Sequence, residues 1–213
     1  MQFIDQNIEN YAVGKSTKPS DVCQQLADFT KKNTELPQML TGPMEMSFLG
    51  FLIKSLGVVN ILEVGTFTGY SALAMAENLP SNGTVTTLDI DNETAAIAEK
   101  FWNKSEHGKQ ITQIIGPALE SMSKLNKKFD LVFIDADKVN YLNYLKRSLE
   151  LISDKGVIVV DNALWSGKVL NPEQGDESSN AINELNEYVA NNPKLYSTLL
   201  PIRDGIHLIK CLP

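Results

Sequence analysis

Histidine is almost missing from this 213-residue chain, which has only His107 and His207. His107 sits in a polar stretch and His207 inside an apolar run, so both read as non-catalytic. A zinc site, a non-haem iron triad or a serine–histidine hydrolase therefore finds little support. Cysteine is as scarce. Cys23 and Cys211 form no CxxC pair and no zinc spacing, and they read as reduced thiols of a cytoplasmic protein. No apolar stretch approaches the about 20 residues that span a bilayer. The opening Met-Gln-Phe-Ile-Asp-Gln has no basic segment followed by an apolar one, so the expectation is no secretory signal. Positive charge is short as well: 19 Lys and Arg stand against 26 Asp and Glu, a net charge of -7. That balance disfavours a nucleic-acid partner, whose affinity rests on neutralised phosphates. Internal repeats and low-complexity linkers are also lacking.

What remains is ordinary globular material: 43% hydrophobic and 21% charged residues, enough for a substantial core. Residues 1–55 carry no strand-like run. Val22, Leu26 and Phe29 are at helical spacing within 21–32, with Ser20 as N-cap. Pro43 opens another helix, with Met44, Phe48, Leu49 and Leu52 on one face. From Val58 onward short apolar strands alternate with helices. Strands are expected at 58–64, 84–90, 110–115, 129–134, 156–160, 196–202 and 205–211. Helices are expected at 70–79, 92–105, 139–152 and 181–191. Alternation of this kind means a parallel sheet covered on both faces. The last two strands are joined by only Arg203 and Asp204, and a parallel crossover needs about a dozen residues or more, so they form an antiparallel hairpin.

In such sheets ligands bind beyond the carboxyl ends of the strands. Gly65 and Gly69 follow the first strand in the pattern Glu-x-Gly-x-x-x-Gly, from Glu63. Phe67 stands where a dinucleotide fingerprint needs a glycine, which steers the loop away from a pyrophosphate. An ordinary strand–helix turn is the plain alternative. Asp89 ends the second strand, where a carboxylate can accept hydrogen bonds from a ribose; otherwise it is only an acid at a helix start. Asp91 reads as the cap of the next helix. Gly116-Pro-Ala118 ends the third strand and offers the Ala118 N–H to an adenine edge.

Two acidic clusters follow the fourth and fifth strands: Asp135-Ala-Asp137-Lys138 and Asp161-Asn162. Hard oxygen donors gathered at one place suit Mg²⁺, Ca²⁺ or Mn²⁺. Equally, these acids could cap the following helices or pair with Lys138. An amine beside a divalent cation is pushed toward its neutral form and can then take a proton. A surface lysine is the alternative for Lys138, and a core position the alternative for Trp165, which could instead wall a planar substrate.

Glu63-Val-Gly-Thr-Phe-Thr-Gly-Tyr-Ser71, Phe133-Ile-Asp-Ala-Asp-Lys138 with Asn140-Tyr141, and Asp161-Asn-Ala-Leu-Trp165 together resemble the signature blocks of the cation-dependent O-methyltransferases. This group includes the caffeoyl-CoA and catechol O-methyltransferases. Leu200-Pro-Ile-Arg-Asp-Gly205 resembles the approach to its last strand, and the likeness runs from about Met39 to the C-terminus. The resemblance implies a Rossmann-like, doubly wound α/β sheet of seven strands, mostly parallel with a C-terminal antiparallel hairpin. It would form one domain over 1–213, with a helical cap over 1–55 and the core over 56–213. It implies that Met39, Thr41, Glu63, Gly65, Thr66, Ser71, Asp89, Ala118 and Asp135 line an S-adenosylmethionine pocket, with Glu63 or Asp89 on the ribose. Asp135, Asp161 and Asn162 would hold the divalent cation, Mg²⁺ first. Lys138 would be the general base, with Asp135 beside it at the reacting centre, and Asp137 and Trp165 would lie near the substrate.

The expected reaction is methylation of a small vicinal-hydroxyl, catechol-like or phenolic compound by a cytoplasmic homodimer without membrane or nucleic-acid partners. Methylation of a hydroxylated uridine in tRNA and a nucleotide-binding oxidoreductase are the competing readings. Two features depart from the family. Arg203 stands where a small residue is common, and no long insertion separates Trp165 from Ala181.

Overall fold

The structure, a computed structural model, describes residues 4–213; the first three residues of the expected 1–55 cap lie outside the described residues. Three helices come first: α1 (Gln6–Lys15), α2 (Asp21–Asn33) and α3 (Pro43–Leu56). Then follow β1 (Asn60–Val64), α4 (Tyr70–Ala76), β2 (Thr84–Asp89), α5 (Asn92–Trp102), β3 (Ile111–Ile115) and α6 (Ala118–Ser123). The chain ends with β4 (Phe129–Ile134), α7 (Tyr141–Leu151), β5 (Ile152–Val160), α8 (Glu177–Ala190), β6 (Leu195–Leu200) and β7 (Ile206–Cys211). The caps are those the side chains suggest. Ser20 accepts from the Cys23 N–H to start α2, and Asp91 accepts from Glu93 and Thr94 to start α5.

All seven strands join one sheet in the order β3-β2-β1-β4-β5-β7-β6. β1 to β5 pair in parallel, and β7 is antiparallel to both β5 and β6. The expected mostly parallel sheet with its antiparallel hairpin is therefore present. Period-two alternation sorts the buried strand residues between two layers. Ile61, Leu131, Phe133 and Val159 pack with Leu26, Leu49, Ile53 and Leu73. Leu62, Val64, Val132, Ile134, Ile158 and Val160 pack with Tyr141, Leu145, Ile182 and Leu185 on the other side. Each such side chain contributes about 1.5–3 kcal/mol when fully buried. The sheet order reverses between β1 and β4, and their carboxyl ends open the crevice where ligands of such folds bind.

Several local expectations shift. α3 buries Glu45, Met46, Leu49, Gly50 and Ile53, while Met44, Phe48 and Leu52 are only half-buried. Apolar residues lie all around this helix, so spacing alone does not select the inward stripe; packing against α4 does. α1, with no buried residue, and the six-residue α6 were not anticipated. Neither has a strong apolar period, and α6 forms where Ser121 and Met122 bury beside α7. β5 begins at Ile152, directly after α7, and the β6–β7 connection is 201–205 rather than two residues.

Candidate active site

Gly65 leaves β1 at φ +101°, in the region only glycine enters freely. A Cβ there would stand 2.0 Å from the backbone oxygen of Asp135. Glycine thus lets the ends of β1 and β4 touch, with the Asp135 N–H donating to Val64 at 2.8 Å. The following loop closes on Asp89. Its Oδ2 accepts the N–H groups of Thr66 (2.9 Å) and Phe67 (2.8 Å), and its Oδ1 those of Ile90 (2.7 Å) and Asp91 (3.1 Å). Asp89 therefore shapes the glycine loop as well as facing the crevice.

Glu63 behaves differently. It is fully buried and lies behind the cavity wall. Thr87 donates to its Oε2 at 2.5 Å, while Oε1 is buried without a hydrogen-bond partner. Burial pushes its carboxyl up to about 8; the neighbouring Ser71 and Thr87 hydroxyls act in the lowering direction, and the charges of Asp135 and Asp89 add to the rise.

At the other end of the crevice, β4 delivers Asp135 to Lys138 and β5 delivers Asp161 and Asn162. The two strand ends are joined by the Asp161 N–H donating to Ile134 at 3.0 Å. Lys138 Nζ lies 2.9 Å from Asp135 Oδ1, donates to the Tyr141 hydroxyl, and stands 4.7 Å and 5.7 Å from the ring centres of Tyr141 and Trp165. The pairing of Asp135 with Lys138 is thus real, though it uses only one of the acids. Asp137 is held by the Tyr144 hydroxyl and by Asn140 Nδ2 at 2.6 Å. Asp161 is buried, and Asn162 donates its N–H to Oδ1 at 2.7 Å. Burial, then the charges of Glu45 and Asp135, hold the Asp161 carboxyl well above its usual range. The same burial, with Asp135 and Asp161, raises the Tyr141 phenol. Among the described residues no three His, Cys, Asp or Glu side chains form a ready metal cluster. The oxygen donors available here are two carboxylates and the Asn162 amide.

Both ends open into one cavity of about 1450 Å³. Met39, Thr41, Gly65, Thr66, Ser71, Asp89, Ala118, Asp135, Asp137, Lys138, Asp161, Asn162 and Trp165 all line it. Among the described residues, the five non-glycines with left-handed φ (Phe67, Asn162, Trp165, Ser166 and Arg203) all line it too. Such conformations cost on the order of 1–3 kcal/mol each and gather at functional sites. Tyr144 and Arg203 reach the wall without having been assigned a role. Tyr144 had a signal, since it shares a helix face with Tyr141. His207 faces Asn186 instead, at 2.9 Å, and burial lowers its imidazole to about 4. Neither histidine lines the cavity.

A doubly wound sheet closed by an antiparallel hairpin, with a glycine loop and acidic strand ends around one crevice, defines a class I methyltransferase architecture. A profile of the family described as O-methyltransferase matches residues 4–212, and the chain belongs to that family as an S-adenosylmethionine-dependent O-methyltransferase. Caffeoyl-CoA O-methyltransferase 1 of Eucalyptus globulus is 37% identical over 183 residues, covering 81% of this chain and 74% of its own. Catechol O-methyltransferase domain-containing protein 1 of Mus musculus is 31% identical over 209 residues, covering 96% and 79%. The O-methyltransferase of Bacillus cereus, solved in complex with S-adenosylhomocysteine, superposes with a TM-score of 0.89 at 27% identity, covering 97% of each chain.

Proposed function

We propose that this chain transfers a methyl group from S-adenosylmethionine to one hydroxyl of a small vicinal-hydroxyl, catechol-like or phenolic acceptor, with a divalent cation in the site. The observation that carries this reading is the meeting of Asp135, Lys138, Asp161 and Asn162 in the cavity that also holds the glycine loop. The donor set suits a hard cation, Mg²⁺ before Ca²⁺ or Mn²⁺, because every candidate ligand atom is oxygen. Asp135, Asp161 and Asn162 would hold it, and a cation bound there favours the ionised form of an acceptor hydroxyl. The caffeoyl-CoA and catechol names of the relatives support the acceptor class.

Met39, Thr41, Gly65, Thr66, Ser71, Asp89 and Ala118 form the wall for the methyl donor, and Glu63 supports that wall from behind. In the reaction the acceptor oxygen bonds to the methyl carbon as the carbon–sulfur bond breaks. The electron pair leaves on sulfur, giving S-adenosylhomocysteine, and the hydroxyl proton goes to Lys138 Nζ in its free-amine form. Asp135 and Tyr141 fix that nitrogen in place. Trp165 provides a flat wall beside it, and Tyr144 with Asn140 fixes Asp137 at the acceptor end. In-line placement of oxygen, methyl and sulfur supplies much of the rate, since orientation is worth up to about 7–11 kcal/mol in such reactions.

The same reading includes a homodimer acting in the cytoplasm. Tyr11 of α1 and Phe51 and Leu56 of α3 offer exposed apolar side chains for self-association, and no helix among the described residues is long and apolar enough to cross a membrane. The test is a methyl-transfer screen over catechols, phenolic acids, flavonoids and tRNA, with Mg²⁺ and with EDTA. Cation-stimulated turnover of a catechol is the expected result. Turnover of tRNA with none of any catechol would overturn the acceptor assignment.

A further inference from the structure

Behind Asp161, away from the cavity wall, lies another buried carboxylate. Glu45, in the first turn of α3, is 2% exposed and does not line the cavity. Its Oε2 accepts the Gly42 N–H at 2.9 Å and pairs with the Arg203 guanidinium. Its Oε1 is buried and has no hydrogen-bond partner. The capping contact uses Oε2 alone, so a helix cap does not account for the whole side chain. The Glu45 and Asp161 carboxylates are close enough for their charges to interact, and the hairpin loop that carries Arg203 is tied to the residues just after β5, where the N–H groups of Ala163 and Leu164 donate to the Gly205 and Asp204 carbonyls at 2.9 Å each. Buried anions near one another repel unless a positive charge stabilises them.

One positive charge is present, and the fold makes room for it. Arg203 arrives from the β6–β7 loop with φ +46°. A Cβ on Gly42 would stand 2.6 Å from Arg203 Nη1 and 2.8 Å from its Cδ. Any side chain at position 42 would push the guanidinium away. Three parts of the fold therefore meet at Glu45: the start of α3, the end of β5 and the hairpin loop. That convergence stands next to one of the carboxylates proposed to hold the cation.

We propose that Glu45 is a positioning residue of the cation site, acting through Asp161, and that Arg203 is its counter-charge. This rests on the cation reading given above. Glu45 braces Asp161 and adds negative potential behind it; Arg203 holds Glu45 in place and offsets part of that potential. Coulomb's law then assigns the two residues opposite signs. Removing the charge of Glu45 weakens the hold on a divalent cation, and removing the charge of Arg203 strengthens it. A purely structural ion pair gives no such opposition, because losing either partner loosens the same contact.

The test is Mn²⁺ titration of the full chain followed by electron paramagnetic resonance, with S-adenosylhomocysteine calorimetry and thermal melting on the same samples. Glu45→Gln should weaken Mn²⁺ binding about tenfold, the lower end of the effect of residues that support metal ligands, and leave S-adenosylhomocysteine binding unchanged. Arg203→Gln should tighten Mn²⁺ binding. Equal Mn²⁺ affinity in wild type and Glu45→Gln overturns the proposal, as do shifts of both variants in the same direction. Should Glu45→Gln not fold, Arg203→Gln decides alone: tighter binding supports the proposal, and unchanged or weaker binding overturns it. A wild-type chain that binds no Mn²⁺ overturns the cation reading itself, an outcome distinct from a wild type that binds and a Glu45→Gln variant that binds equally.

Discussion

Gly65→Ala places one methyl group at the point where the donor wall meets the reacting centre. The added Cβ would stand 2.0 Å from the Asp135 backbone oxygen, where ordinary contact begins at 3.4 Å. The two strand ends must therefore part by about 1.4 Å, the difference of those two distances. Neither side can yield by a side-chain rotation, because the obstacle is backbone. The φ of +101° adds strain for any residue with a Cβ. Overpacking costs about 1–3 kcal/mol and an alanine forced to positive φ roughly 1 more, so a loss near 2–4 kcal/mol is expected. A misplacement of about 1 Å can cost 10²-fold in rate, so kcat/KM should fall about a hundredfold. The assay is radiolabelled methyl transfer, with S-adenosylhomocysteine calorimetry and chemical denaturation alongside. Gly175→Ala is the control: its φ is +90°, but a Cβ there meets nothing within 4 Å. It carries the strain without the collision and should keep full activity. A Gly65→Ala enzyme with wild-type kcat/KM and cofactor affinity would refute the reasoning.

Three further outcomes are expected. Asp161→Ala should abolish cation-stimulated turnover and largely preserve S-adenosylhomocysteine binding; full activity of this variant in EDTA rules out the ligand set. Lys138→Met should lower kcat by about 10²–10⁴-fold, the usual contribution of a general base, with cofactor affinity unchanged in calorimetry. Glu63 holds its proton more tightly in the folded chain, with its carboxyl pushed from 4.5 to about 8 chiefly by burial. Its contribution to stability is full below pH 4.5 and is lost as pH rises to about 8. Denaturation of Glu63→Gln across that window should show a flatter pH dependence than wild type, and an unchanged slope would remove Glu63 as the source.

Much of this architecture was legible because its signals are local. Strand alternation, Pro43, the Ser20 and Asp91 caps and the short link between the last strands each act within a few residues. So do the glycines after β1 and the acids after β4 and β5, and parallel pairing then brings those strand ends together without further information. Signals that require a choice among neighbours were harder to read. The inward stripe of α3 depends on which apolar residues α4 meets, and α6 has too little period to announce itself. Glu63 illustrates the same limit at the site: its place in the motif suggests a ribose ligand, and only the structure shows that its side chain is fully buried and is not among the cavity-lining residues.

Sequence by itself therefore determined the fold class and the family, and it named 13 of the 36 described residues that line the cavity, those carried by short motifs placed mostly at strand ends. Tertiary structure decided which motif residues face the cavity and which stand behind it. It alone joined Glu45 to Arg203 across 158 positions, with Gly42 vacating the space between. No local pattern encodes that contact, because it exists only once the sheet has brought the start of α3, the end of β5 and the hairpin loop to one point.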